Sequence, residues 1–356
     1  MKYNPKRTLF LTAAALTAAL PVLLCACSGG SESGEVLNLY TWEGMFPDEI
    51  LDGFEEETGI RINYVNFDYN ETMLSKLEAA DGGEYDLILA DDYIIEAAIA
   101  EGLVAPLDKS MISNIGNVNP LYQGQFYDPD DTYTVPFGAG VQTIVYRPDA
   151  VDTEIKGYAD LWDASLAGRV GIIGNYRVVN GMALKILGSS YNTENAEEIR
   201  AAGELLYDLA PNIRLIKDDY IQDDLISGEI DAAVMYTSQV TMAVMADPTL
   251  SVVYPEEGIG FGIMAMFVPK NAPNADAAHK FINYILDAQR GADCFEYLGY
   301  FCTSSASEEY LSEEMRAALT LPADIESADM EMIQTVSDTT ADQHLEIWTT
   351  FRGLCE

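Results

Sequence analysis

Acidic and aromatic residues follow two short apolar runs in the first third of the chain, at the point where each run ends. The segment 41–45, which contains Trp42 and Glu43, comes directly after the run 36–40, and the segment 91–93 comes directly after the run 85–90. Carboxylates and aromatic faces are groups that bind cations. If both runs are strands of a parallel sheet, these segments lie at the edge where such sheets bind ligands.

Each of these residues also has a structural alternative. A tryptophan after a strand is often a core residue, so Trp42 could serve packing alone. Asp91 and Asp92 could cap the helix that is predicted to follow them, because aspartate is favoured at helix N-termini. We expect one of the two carboxylates to cap this helix and the other to face a ligand.

The residues that catalysis or metal binding would need are scarce. Both histidines, His279 and His344, lie on segments predicted to be helical and at the surface, and the chain has neither a Gly-x-Ser-x-Gly motif nor a phosphate loop. Adjacent acids such as Asp91 and Asp92 do not flank a bond at the separation that a glycosidase requires. The cysteines fit no zinc-ligand spacing. We therefore expect that the protein is not an enzyme and that it has neither a cofactor nor a metal site.

Three cysteines lie in the last part of the chain, at Cys294, Cys302 and Cys355. In an oxidising compartment two of them could form a disulfide, and Cys302 with Cys355 is the preferred pair because both lie near the end of the chain. Three free, buried thiols are an equal alternative.

Apolar periodicity predicts alternating strands and helices in the first part of the chain. The predicted elements are a strand at 36–40, a helix from Pro47 to Gly59, a strand at 60–64, a helix capped by Asn70, a strand at 85–90 and a helix at 93–101. This order is typical of a parallel sheet covered by helices.

A long extended segment at 134–146 follows the turn at 128–131, and we predict that it crosses from a first lobe to a second. A second series of strands and helices occupies 170–236, and the apolar run 261–268 is predicted to return to the first lobe. Two helices and a third crossing after Thr303 complete the predicted fold. The expected lobes are 36–143 plus 263–308, and 144–262 plus 309–356.

The N-terminal residues have the layout of an export signal. Three basic residues precede the apolar run 9–24, so residues 1–26 are predicted to be a signal peptide. Cys27 is the expected lipid-modified residue, and 27–35 is a flexible spacer. A membrane-spanning helix is the alternative, which the cysteine and the spacer that follow at once disfavour. We expect an exported protein held on the membrane through the lipid on Cys27.

The chain is strongly acidic, with a formal charge of −39 that becomes −42 when the three basic residues of the signal are removed. Such a field repels nucleic acid and attracts cations. The acidity could equally serve solubility alone, so the charge by itself identifies no ligand. We expect a monomer that binds no nucleic acid.

Short segments along nearly the whole mature chain resemble the spermidine/putrescine-binding proteins of bacterial polyamine ABC importers. The similar segments are Leu39-Tyr40-Thr41-Trp42, 54–60, Asn70-Glu71-Thr72-Met73, Tyr85-Asp86-Leu87, Glu101-Gly102-Leu103, Phe126-Tyr127-Asp128-Pro129, Ala159-Asp160-Leu161-Trp162, Met182-Ala183-Leu184 and Leu298-Gly299-Tyr300. They occur in the same order as in the family. The resemblance implies an α/β fold of the two-lobed periplasmic-binding-protein type (type II), whose lobes close on a ligand held between them.

The resemblance also implies which positions contact the ligand. They are Trp42, Glu43, Asp91, Asp92, Tyr93, Asn175, Tyr236, Met264, Tyr300 and Gln334. Trp42, Tyr93, Tyr300 and Gln334 match the family, whereas Asn175 and Val178 stand where it has two acids. Tyr236 replaces a tryptophan, and Met264 replaces the central aspartate.

These departures bear on the ligand, because a polyamine carries an ammonium at each end and needs carboxylates to replace its hydration. Acids are lost at positions 178 and 264, but Glu43, Asp91 and Asp92 add acids at nearby strand ends. The sequence therefore predicts a polyamine site whose negative charge has moved toward the first lobe, with an ABC permease and its ATPase as partners. Another small organic solute, including an anion if Arg177 faces the cleft, and a surface adhesin are the alternatives.

Overall fold

The structure is a computed structural model that describes residues 35–218, 220–319 and 330–356. The predicted signal peptide and Cys27 lie outside these residues. Within the described residues, no helix combines the length and the apolar character needed to cross a bilayer.

The first part of the chain alternates strands and helices as predicted. Its elements are β1 (Val36–Thr41), α1 (Asp48–Thr58), β2 (Arg61–Asn66), α2 (Asn70–Ala79), β3 (Leu87–Asp91) and α3 (Asp92–Ala100). β1 lies between β2 and β3 and is parallel to both. The carboxyl ends of β1 and β3, where Trp42 and Asp91 lie, are therefore at the same edge of the sheet.

Local sequence signals explain where these elements end. Pro47 precedes the first residue of α1, and Gly59 ends the helix in the left-handed conformation with a φ of 71°. Asn70 was expected to cap α2, but this prediction is wrong, since Tyr69 occupies the cap position and Asn70 is the first helical residue. Its side chain instead reaches Asp91.

Strand β4 (Thr134–Tyr146) has the bounds predicted from the sequence and joins the two halves of the molecule. Asp128 fixes the start of the strand by accepting hydrogen bonds from the backbone N–H groups of residues 132, 133 and 134. Residues 134–141 of β4 pair with the return strand, and residues 142–146 pair with a strand of the second half. One continuous strand thus belongs to both sheets.

The second half repeats the strand and helix alternation. Its elements are β5 (Val170–Ile172), α4 (Tyr176–Ile186), α5 (Ala196–Tyr207), β6 (Ile213–Ile216), α6 (Ile221–Ser227), β7 (Ala232–Tyr236), α7 (Thr237–Ala246) and β8 (Ser251–Val253). β5 is parallel to β6 and β7, and β7 and β8 are antiparallel to β4.

The chain then returns to the first half and ends in the second. The last elements are β9 (Ile259–Phe267), α8 (Ala275–Ile285), α9 (Ala288–Leu298), β10 (Phe301–Cys302), α10 (Glu313–Ala318), β11 (Met330–Met332) and α11 (Asp338–Cys355). β9 is antiparallel to β3 and β4, and β11 is parallel to β9. Single 3-10 turns occur at Lys109–Met111, Ile115–Asn117, Pro120–Tyr122, Tyr158–Trp162, Ala164–Leu166, Ala210–Asn212 and Glu308–Tyr310.

The main hydrophobic cores divide between the two halves. In the first half, one core packs α1, α8 and α9 against the sheet and another packs α2 and α3 against it. In the second half, the largest core contains α4, α5 and the apolar face of α11. The main strand order is β2-β1-β3-β9-β4-β7-β5-β6 in the described part of the chain. This is an α/β architecture with one lobe on each side of β4.

The histidines are buried, contrary to the expected surface position. His279 is 5% exposed and accepts a hydrogen bond at Nε2 from the Asp108 N–H, at 2.9 Å. His344 is 1% exposed and contacts Asn180 between α11 and α4. His279 therefore links α8 to the backbone at Asp108, and His344 links α11 to α4.

The preferred disulfide between Cys302 and Cys355 is absent, and all three described cysteines are free. Cys302 lies in β10, and its thiol donates to the Ser304 carbonyl. Cys355 ends α11 and packs on the core of the second lobe. The alternative of three free thiols is the one the structure supports, with Cys355 only partly buried.

Candidate functional site

Asp91 ends β3 at the place where β3 pairs with β9, directly opposite Met264. Its half-buried carboxylate accepts a hydrogen bond at Oδ2 from the Asn70 side-chain amide, at 2.8 Å. Burial raises the pKa of the Asp91 carboxyl to about 6; the Asn70 hydrogen bond opposes this effect and the nearby Glu71 charge reinforces it. A cation placed beside Asp91 would therefore stabilise the ionised form of this carboxyl group.

Asp92 has a different environment from Asp91. It is 3% exposed, and its two oxygens accept hydrogen bonds from the backbone N–H groups of Tyr93 and Ile263, at 2.8 and 2.9 Å. Burial and the neighbouring Asp91 charge hold its pKa well above the usual range. Asp92 therefore attaches the start of α3 to β9, while Asp91, although it occupies the cap position, makes no side-chain cap bond.

Tyr93 extends the polar group around Asp91. Its hydroxyl accepts from the Asn70 amide at 3.2 Å and donates to Glu71 at 3.3 Å. Burial raises the pKa of Tyr93, and the nearby Glu71, Asp91 and Tyr176 contribute to the rise. Because Tyr176 begins α4 of the second lobe, the two lobes meet at Tyr93. Asn70, Glu71 and Tyr176 were not among the predicted site residues.

Two further tyrosines lie close to Asp91. Tyr236 ends β7, forms a side-chain hydrogen bond with Asn175, and has a pKa raised well above its usual range by burial and by the charges of Asp218 and Asp91. Burial raises the pKa of Tyr300 to about 12, with Asp91 adding to the rise and a Ser238 hydrogen bond opposing it. The Asp91 charge therefore acts on tyrosine hydroxyls from both lobes.

The Tyr300 ring needs a glycine beneath it. A Cβ added at Gly140 of β4 would come within 3.1 Å of the Tyr300 ring. At Gly138 an added Cβ would lie 2.8 Å from the Met264 methyl carbon. These two glycines let Tyr300 and Met264 lie flat on the strand that joins the lobes.

Asn175 and Val178, at the start of α4, make their contacts mainly within the second lobe. Asn175 caps α4, since its side-chain oxygen accepts from the N–H groups of Arg177 and Val178 at 3.0 and 3.3 Å. Val178 is 1% exposed and packs on Tyr191. No carboxylate stands at either position, in keeping with the departures noted from the sequence.

Trp42 and Glu43 follow β1 at the same sheet edge as Asp91. The Trp42 ring is half-buried and tilted against Phe67, with ring centroids 4.8 Å apart. Glu43 is exposed, and its charge contributes to raising the pKa of Tyr64. Trp42 therefore has one face in the core, and Glu43 stands at the rim.

Gln334 lies in a segment that connects the lobes. Its N–H donates to the Asn192 side chain at 2.8 Å, and its carbonyl accepts from Arg177 at 3.2 Å. The next residue, Thr335, donates its hydroxyl to the Tyr93 carbonyl at 2.7 Å. Arg177 is 5% exposed, and its two terminal nitrogens donate to the main-chain carbonyls of residues 334 and 191.

The arrangement combines a carboxylate with aromatic side chains. Asp91, Tyr93, Asn175, Tyr236 and Tyr300 come together at the junction of the lobes. Among the described residues, no group of three or more histidine, cysteine or acidic side chains could hold a metal ion. Carboxylate and aromatic groups without such a cluster suit an organic cation.

Comparisons with known proteins agree with this geometry. The model of the bacterial extracellular solute-binding protein family matches residues 49–323. The spermidine/putrescine-binding periplasmic protein of Escherichia coli K12 is 31% identical over 313 residues, covering 88% of this chain and 90% of the relative.

Solved structures give the same result. A Listeria monocytogenes structure assigned to a spermidine/putrescine ABC transporter has a TM-score of 0.84 at 28% identity, over 90% of this chain and 99% of that one. The spermidine/putrescine ABC transporter substrate-binding protein of Streptococcus pneumoniae has a TM-score of 0.77 at 28% identity, over 91% of this chain and 100% of the other.

These matches confirm the predicted two-lobed fold of periplasmic binding proteins and the predicted family resemblance. The relatives are named as proteins that bind solutes for transport and not as enzymes. Their family is extracellular. With most of its length matched, the chain belongs to the bacterial extracellular solute-binding proteins.

Proposed function

We propose that this protein captures a polyamine, putrescine or spermidine, between its lobes and delivers it to an ABC permease. The observation that carries the proposal is the half-buried Asp91 carboxylate, which ends β3 at the sheet edge, accepts a hydrogen bond from Asn70 and acts electrostatically on tyrosines of both lobes. The names of the relatives support the same ligand class.

The physical argument starts from desolvation. An ammonium group buried without a carboxylate costs several kcal/mol or loses its proton. Asp91 is disfavoured as an anion in the empty site, as its raised pKa indicates, so an ammonium beside it relieves the cost for both charges. The tyrosine rings then cover the methylene chain and exclude water.

The proposed ligand contacts retain the sequence-derived set. They are Trp42, Glu43, Asp91, Asp92, Tyr93, Asn175, Tyr236, Met264, Tyr300 and Gln334. Asp91 and the tyrosines would touch the ligand, whereas Asp92 would act by holding Asp91 and α3 in position through Ile263. Lobes 36–143 plus 263–308 and 144–262 plus 309–356 would close by bending at β4 and its neighbours.

Delivery requires partners that this chain does not encode. An ABC permease with its ATPase would receive the ligand, and a lipid on Cys27 would keep the monomeric protein on the outer face of the membrane. The apolar run before Cys27 and the Gly/Ser-rich spacer after it support this anchoring.

Isothermal titration calorimetry tests the proposal directly. The purified protein, unfolded and refolded to remove copurified ligand, is titrated with putrescine, spermidine and spermine, and with amino acids and thiamine as controls. We expect binding of a polyamine at one site with micromolar or tighter affinity, about −8 kcal/mol. A protein that binds none of the three polyamines would refute polyamine capture while leaving the fold and family intact.

A further inference from the structure

Each lobe carries an aspartate one strand away from a position where the resemblance implies an acid that this chain lacks. In the first lobe Met264 on β9 is paired directly with Asp91 on β3. In the second lobe β5 leads to Asn175, and β6 is its parallel neighbour, with Ile172 beside Ile216. Continued two residues beyond the ends of β5 and β6, this register places Asp218 beside Gly174.

The side-chain geometry of Asp218 agrees with the register. Its Oδ1 accepts a hydrogen bond from the Gly174 N–H at 2.7 Å. A Cβ added at Gly174 would lie 2.5 Å from Oδ2, so only glycine lets the carboxylate approach so closely. The carboxylate is therefore held next to Asn175, at the start of α4.

Gln239 links Asp218 to the tyrosine of the cleft. Its side-chain amide donates to the Asp218 carbonyl, and its side-chain oxygen accepts from the Tyr236 N–H at 3.1 Å. Both Asp218 and Asp91 oppose ionisation of the Tyr236 hydroxyl and so raise its pKa. Gln239 therefore ties the Tyr236 backbone to Asp218. On its other side, β7 pairs with β4, and β4 pairs with β9, whose Met264 lies opposite Asp91, so Tyr236 stands in the sheet between the two aspartates.

We infer that Asp218 is the second ammonium-binding carboxylate of the site, so that a diamine lies along Tyr236 with one end at Asp91 and the other at Asp218. This inference rests on the proposed function and adds a residue that sequence comparison by position does not identify. Asp91 replaces the acid lost at position 264, and Asp218 replaces those lost at positions 175 and 178, which preserves recognition of both ends of the ligand.

The two ends of the proposed site, at Asp91 and at Asp218, differ in their exposure to solvent. On the Asp91 side, Asn70 is 6% exposed, and its side-chain oxygen has no hydrogen-bond partner among the described residues. Its amide nitrogen already donates to Asp91, so the free oxygen is a second acceptor available near that carboxylate. Asp218 is exposed. Because solvent weakens exposed ion pairs, the end at Asp91 is the stronger one.

Comparing a dication with a monocation isolates the contribution of Asp218. N-acetylputrescine has one ammonium, which we expect at the stronger Asp91 end, leaving its acetamide near Asp218. Asp218→Asn should therefore weaken putrescine about fivefold and N-acetylputrescine by less than about twofold. Calorimetry with putrescine, and displacement of bound putrescine by N-acetylputrescine, measure both affinities even when one is weak.

Two further variants make the test specific. Gly174→Ala displaces the carboxylate without removing it and should reproduce the selective loss of putrescine affinity. Asp223→Asn removes the same charge from the exposed surface of α6 and should change neither affinity. If Asp223→Asn weakened putrescine binding as much as Asp218→Asn, the loss would come from the overall negative charge, and the inference would be overturned.

Equal losses for both ligands in Asp218→Asn, or no loss for either, would also overturn it while leaving polyamine capture standing. Failure of the wild-type protein to bind putrescine, spermidine or spermine would instead refute the proposed function itself. The two failures are therefore distinguished by the wild-type titration.

Discussion

The two walls of the cleft use their polar groups differently. On the β3 side, Asp91 accepts a hydrogen bond from Asn70 at Oδ2, and the side-chain oxygen of Asn70 has no partner among the residues that the structure describes. On the α4 side, Asn175 caps its helix and Arg177 binds main-chain carbonyls of residues 191 and 334. The first wall therefore has an acceptor available for the proposed ligand, whereas the polar groups of the second mainly hold its own lobe together.

Asp91→Asn gives the largest expected effect on binding, because it removes the half-buried charge that we propose binds the ammonium. We expect polyamine affinity to fall by about 100-fold, or ~2.7 kcal/mol. Calorimetry measures the loss. Glu49→Gln, which removes an exposed acid from the same lobe, is the matched control and should leave affinity unchanged.

Arg177→Met tests the opposite wall. The carbonyls of residues 191 and 334 would lose their buried donor, so the free energy of unfolding should fall by about 2 kcal/mol. Urea denaturation measures it, with exposed Arg200→Met as a control expected to change it by less than about 0.5 kcal/mol. Unchanged stability with abolished polyamine binding would reverse the roles assigned to the walls.

Trp42→Ala removes an aromatic face at the ligand-accepting edge, and we expect polyamine affinity to fall by more than about tenfold, or ~1.4 kcal/mol. Trp42→Phe keeps a ring against Phe67 and should recover most of the loss. If Trp42→Ala lowers the melting temperature but leaves affinity unchanged, Trp42 belongs to the core and not to the cleft.

The pH dependence of binding sharpens the comparison further. Because burial raises the pKa of Asp91 to about 6, protons compete with the ligand ammonium as the pH falls toward and below that value. Affinity should decrease about fourfold between pH 7 and pH 5.5, and binding near pH 6 should release protons. Calorimetry in buffers of different ionisation enthalpy measures the release.

Asp91→Asn is the control for this pH effect, since the variant has no carboxyl group to titrate at that position. Its remaining affinity should be nearly independent of pH over the same range. A slope equal to that of the wild-type protein would assign the titration to another group.

Sequence patterns predicted the strands well where burial made them distinctive. The run 134–146 became β4 with the same bounds, since a mainly apolar run with no helical period favours an extended strand. The strands at 36–40 and 85–90 were likewise confirmed within two residues at each end. Their order also predicted Asp91 at the edge of the sheet.

Other features depended on neighbours that are distant in sequence. Asn70 was predicted to cap a helix because asparagine before an apolar helical pattern is a typical cap signal. The same sequence signal occurs when, as here, the side chain instead forms a hydrogen bond with the distant Asp91. Asp218 lies beside Gly174 only because β6 pairs with β5, and strand order is not written in local periodicity. The rule that ligands bind beyond strand ends could have identified Asp218, since it follows β6 as Asp91 ends β3.

The last helix of the chain has a consequence for the order of folding. Ile347, Trp348 and Phe351 of α11 pack into the core of the second lobe, against helices that begin some 150 residues earlier. During synthesis from the N-terminus, that core stays incomplete until almost the whole chain is available. Such late closure keeps apolar surface open to other contacts for longer, and it makes folding of this lobe slow compared with a lobe built from one continuous segment.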